Sequence, residues 1–162
     1  MRRSVGLFAL CSALALAAAA CGDSAQPTPT GAVCPDPDPL TFGYTAALTP
    51  GCTGTAEQCN FGKTFMDAYC TSCHSSTLTR SQRNGAPLYH DFDSLLGVLQ
   101  VVGHIDEEAG FGPDAHNEFM PGDRCPTVPG GPLDRDCPKI TAQERTDLAQ
   151  WLACERARPH TF

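Results

Sequence analysis

The sequence predicts an all-α fold, a small helical domain with loops stiffened by disulfides. Three observations lead there. Apolar residues recur at helical spacing in three separate stretches, no stretch alternates convincingly in the manner of a half-buried strand, and the segments between are rich in the 14 Pro, 15 Gly and 10 Cys of the 162-residue chain. No internal repeat is visible.

The first helix is expected from Gln58 to Tyr69, where Phe61, Phe65 and Tyr69 recur every four positions with Met66 beside them. Gly62 lowers helix stability there, and its expected use is the close approach of another helix. Asn84-Gly85-Ala86-Pro87 reads as a loop. A second helix, capped by Asp91 or Asp93, is expected to carry Phe92, Leu95, Leu96, Leu99 and Val102 and to end at Gly103. From His104 to Gly122 the chain reads as irregular, because glycines and prolines interrupt it. Thr141-Ala142-Gln143-Glu144 is a capping box that opens a last helix with Leu148, Trp151 and Leu152 on one face. Arg156 and Arg158 suit the negative end of its dipole, and Pro159 stops it.

Residues 1–20 read as an export signal, with Arg2 and Arg3 before an apolar run from Val5 to Ala20. The run is shorter than the roughly 20 residues of a spanning helix. It ends in Ala18-Ala19-Ala20-Cys21, which resembles a bacterial lipobox and makes Cys21 a lipid attachment site; ordinary cleavage after an A-x-A site is the alternative. Residues 21–50, rich in Pro, Thr and Asp, read as a flexible tether. The folded domain is expected over 51–158, with 159–162 as a tail. Loss of Arg2 and Arg3 with the signal takes the formal charge from −7 to −9. Such a surface excludes nucleic acid as a partner class. It suits redox proteins with a basic docking patch, or it serves solubility alone.

Cys70-Thr71-Ser72-Cys73-His74 spells C-x-x-C-H. The spacing lets two thiols add to the vinyl groups of one haem while the next residue offers an imidazole to the iron. Half of a zinc site and a redox dithiol have the same C-x-x-C. With Cys11 in the signal and Cys21 at the lipobox, six cysteines remain: Cys34, Cys52, Cys59, Cys125, Cys137 and Cys154. An even remainder in an exported chain suggests three disulfides. Cys125 with Cys137 is the simplest pair, since they bracket a Pro/Gly-rich loop, and Cys154 pairs with Cys52 or Cys59. A thiolate metal cluster lacks a second C-x-x-C.

In this order the features resemble the class I c-type cytochromes: Gly62-Lys63, then Cys70 to His74, then Met120-Pro121, then Glu144 to Leu152 with its Leu, aromatic, Leu face. The likeness covers about residues 51–158. It implies a small class I fold, with helices packed around one covalently bound haem c and the N-terminal helix crossing the C-terminal helix near its glycine. It implies Cys70 and Cys73 as the covalent anchors, His74 as the proximal iron ligand and Met120 as the distal one. It also implies a carbonyl of Gly85-Ala86-Pro87 as acceptor for the second nitrogen of His74. Two features depart from the family. Phe65 is shifted by one from the usual aromatic position, held here by Met66, and a cysteine-bracketed insert follows Met120.

A neutral thioether opposite an imidazole favours reduced iron, and two filled axial positions suit outer-sphere electron transfer. The function expected is a single-haem electron carrier on the periplasmic side of a bacterial membrane, held there by an N-terminal lipid, and not an enzyme. The alternative is a haem-based ligand sensor or a redox-enzyme subunit with a weak or different sixth ligand, His116 or His104, with His90 a weaker candidate. Peroxidase-type relatives carry a second C-x-x-C-H, which this chain lacks.

Overall fold

The computed structural model describes residues 32–34, 40–43, 52–110 and 120–160. They are mostly helical, with five α-helices, one 3-10 turn and a two-stranded ladder: α1 Ala56–Cys59, α2 Phe61–Tyr69, the 3-10 turn Arg80–Arg83, α3 Leu95–Gln100, α4 Val102–Ala109, β1 Cys125–Pro126, β2 Leu133–Asp134 and α5 Ala142–Ala157. The expected export signal, Cys21 and His116 lie outside the described residues. No helix among the described residues is long and apolar enough to cross a membrane.

The first expected helix is two. Thr55 caps α1 through a reciprocal box with Gln58, and Asn60, at φ −117° and ψ 13°, breaks the run before α2. Phe65 and Met66 of α2 are buried against α5. Gly62 stands where the two helices cross: a Cβ there would come within 2.3 Å of the indole ring of Trp151. The glycine is thus a matter of space, as its place in an apolar helix suggested.

The middle of the chain differs more. Ser94, not Asp91 or Asp93, caps α3, its hydroxyl accepting from Gly97 N–H. Both aspartates serve elsewhere. Asp91 takes Arg83 Nη1 at 2.6 Å, and Asp93 accepts from the hydroxyls of Ser75 and Ser76 and from the Ser76 amide. The helix does not end at Gly103. It breaks at Val101, and α4 then runs through Gly103 and His104 to Ala109. Val102, Ile105 and Ala109 share a buried face, so tertiary burial overrides the helix cost of one glycine. A further difference is the short ladder pairing Cys125 with Asp134 and Pro126 with Leu133, which no alternation announced.

The last helix matches its expected start: Thr141 and Glu144 form the capping box, and Leu148, Trp151 and Leu152 are fully buried. At its far end lie residues from the stretch expected as a tether. Thr41 and Phe42 are buried, Phe42 stacks on Trp151 with centroids 6.1 Å apart, and Cys34 is bonded to Cys154. The other disulfides are Cys52–Cys59 and Cys125–Cys137. The loop pair is as expected. The pairing of Cys154 with Cys52 or Cys59 is overturned, because the apolar pair Leu40 and Phe42 draws the N-terminal segment onto α5.

Candidate cofactor site

The C-x-x-C-H segment is the turn that ends α2. The Cys70 and Thr71 amides close on Met66 O at 2.8 and 2.9 Å, and the Cys73 and His74 amides close on Cys70 O at 3.1 and 2.9 Å. This winding brings the His74 ring back over the core. Cys70 and Cys73 are half-buried and are the free thiols left among the described residues once three disulfides have formed. Burial, with a smaller contribution from Cys73, pushes the Cys70 thiol up to about 12. A reactive dithiol is favoured by the opposite shift, toward thiolate at neutral pH.

His74 is buried, its ring stacked on Phe92 at 4.6 Å and 12°. Burial, the largest cause, lowers its pKa to about 4, so the imidazole is neutral at pH 7. Its Nδ1 is buried without a hydrogen-bond partner. A neutral imidazole is the form a metal ligand takes, and Nδ1 is the nitrogen that an orienting carbonyl ordinarily holds; the His90 backbone lies close enough to act on the ring. The carbonyl expected to orient it is engaged otherwise, since Pro87 O accepts from Arg83 Nη2 at 2.7 Å. Arg83 is itself buried and also donates to Ser75 O, His90 O and Asp91, so one guanidinium orders the whole loop after the motif. A charged residue in a polar stretch carries no periodic signal, and sequence reasoning missed it.

A cavity of about 330 Å³ opens beside this turn. Tyr69, Cys70 and His74 line one side, Ile105, Ala109 and Ile140 give it apolar walls, and Met120 lies on the same cavity. Met120 is 43 % exposed. Its amide donates to Glu108 O at 3.3 Å and its carbonyl accepts from Arg145 Nη1 at 3.3 Å. His90 and His104 line the cavity too, with ring centroids 6.1 Å apart, and His90 stacks at 6.1 Å on His74. Cys73 does not line it; its sulfur lies 3.9 Å from Asn84 Nδ2.

The two ends of the cavity are joined through the first turn of α5. The Tyr69 hydroxyl donates to Glu144 at 2.5 Å, and Arg145 reaches Ala109 O and Met120 O. Burial and the neighbouring carboxylate raise the Tyr69 phenol to about 12, and the hydrogen bond from Tyr69 lowers Glu144, so at neutral pH the phenol is the donor and the carboxylate the acceptor. Glu144 had been visible only as a cap residue, and Arg145 had no signal at all.

Among the described residues no three His, Cys, Asp or Glu side chains cluster so as to hold a metal ion. The residues present fit a haem in this sense: an apolar cavity with a free thiol and a neutral imidazole on one side, and a thioether within the same space. The chain matches no protein-family model, no curated protein and no solved structure.

Proposed function

We propose that this chain is a single-haem c-type cytochrome that carries electrons outside the cytoplasm, built on a class I cytochrome c fold. One observation carries the reading. The two thiols of the C-x-x-C-H turn stay out of the three disulfides among the described residues, and the histidine beside them stands neutral on an apolar cavity that Met120 also lines. The crossing of α2 and α5 at Gly62 and Trp151 supports the fold.

When bound, a haem supplies one-electron redox chemistry at iron. The chain's own residues do the rest. Cys70 and Cys73 would tether the group as thioethers, each thiol adding across a vinyl group. His74 offers a neutral nitrogen, its ring held flat by Phe92. Met120 offers a soft neutral donor, and the apolar walls exclude water. The acidic surface favours redox partners with a basic patch, and the lipobox-like Cys21 would hold the carrier on a membrane.

A second reading has its own observation. His104 and His90 line the same cavity as Met120, so an imidazole, or no protein group, could stand opposite His74, giving a lower-potential carrier or a ligand sensor. Expression with cytochrome maturation machinery separates these. Covalent haem after denaturation is expected, with a band near the red end of the oxidised spectrum that Met120→Ala removes. Colourless protein ends the haem reading, and a high-spin spectrum that changes on adding carbon monoxide replaces the carrier with the sensor.

A further inference from the structure

Resting on that reading, we propose that Arg145 is a positioning residue for Met120, its guanidinium tying the Met120 backbone to the end of α4 and so setting where the thioether stands in the cavity. Nη1 donates to Ala109 O at 2.7 Å and to Met120 O at 3.3 Å. Ala109 is the last residue of α4 and lines the cavity, so one nitrogen bonds both the end of α4 and Met120. The Met120 amide donates to Glu108 O of α4, while its carbonyl accepts from Arg145 of α5, so its two backbone polar atoms are held by different helices.

The base of this tie is itself fixed. Arg145 follows Glu144, whose carboxylate completes the α5 capping box and receives the Tyr69 hydroxyl. Tyr69 adjoins Cys70. One helical turn therefore links the covalent attachment side of the cavity to the thioether side. Arg145 is half-buried, and of its two hydrogen bonds the one to Ala109 O is the shorter and more buried, the one to Met120 O the longer and more exposed. The competing role is simple capping, in which Arg145 only satisfies a terminal carbonyl of α4.

Competition by exogenous imidazole distinguishes the two roles, because imidazole binds the iron only when the sixth ligand yields. The holoprotein is titrated in the oxidised state as wild type, Arg145→Gln, Met120→Ala and the double variant. Arg145→Gln is expected to bind imidazole about tenfold more tightly, the size of one lost hydrogen bond to a charged group. On the Met120→Ala background the same change is expected to have no effect. Arg145→Lys, which keeps a charged donor on the same turn, is expected to fall between and stands in should Arg145→Gln not fold. Wild-type affinity in Arg145→Gln, or an equal effect with and without Met120, overturns the proposal and leaves Arg145 a cap. If Met120→Ala carries covalent haem yet binds imidazole as the wild type does, Met120 is not the ligand, and both the ligation and its positioning fall. If no haem attaches, the reading beneath them falls.

Discussion

The two ends of α5 are anchored by different physics. At its C-terminal end Cys154 is bonded to Cys34, and the buried Glu155 accepts from the Phe42 amide at 3.2 Å, the Trp151 indole at 2.9 Å and Arg158 at 2.6 Å. Arg158 also reaches Leu40 O. At its N-terminal end, about 15 Å away at the helical rise, Thr141, Glu144 and Arg145 hold the cavity through hydrogen bonds near the surface. A covalent bond and a desolvated carboxylate resist opening far more than partly solvated bonds do. The far end is a fixed clamp for the N-terminal segment. The cavity end is the weaker, more adjustable one, as the proposed attachment of a cofactor there would require.

The strongest way to break this contrast is to cut the clamp. Replacing Cys34 and Cys154 by Ser opens a loop of 120 residues and is expected to cost about 4 kcal/mol in urea unfolding. A loss under about 1 kcal/mol would mean that the clamp is not the stronger end. Next comes Thr141→Ala, which removes the side-chain cap on Glu144 N–H. It is expected to cost about 1 kcal/mol by the same measurement, and a loss rivalling the disulfide's would reverse the ranking. The smallest effect lies in pH. Glu144 has its folded pKa held below the usual 4.5 by Tyr69 and Thr141. Its stabilisation is therefore present above about that value and fades as pH falls through the lowered one. Glu144→Gln should flatten this part of the acid limb of a stability–pH curve. An unchanged limb would show that the Tyr69 contact adds nothing in water, as many exposed charge contacts do.

The helical class was legible because it rests on local terms. The capping box at Thr141 and the Leu148, Trp151, Leu152 face need only near neighbours to be read, and both stand in the structure. The middle of the chain was less legible. Asp91 and Asp93 are good cap residues by type, yet each is taken by a partner distant in sequence, Arg83 and the Ser75–Ser76 pair, leaving Ser94 to cap α3. Gly103 reads as a stop until Val102, Ile105 and Ala109 are seen on one buried face.

The same division runs through the site. The sequence by itself determined the C-x-x-C-H spacing and an even set of remaining cysteines, since spacing along the chain constrains what two thiols and an imidazole can reach; Met120 came only as what the family resemblance implies, and its place on the same cavity as His74 is tertiary. The sequence also determined that Gly62 needed a close neighbour, though not that the neighbour was Trp151. Only the tertiary structure decided that Cys154 pairs with Cys34, that Pro87 O serves Arg83 rather than His74, and that Glu144 and Arg145 join Tyr69 to Met120. None of these contacts is announced by an apolar repeat along the chain; they form once the apolar faces have packed and brought their partners within reach.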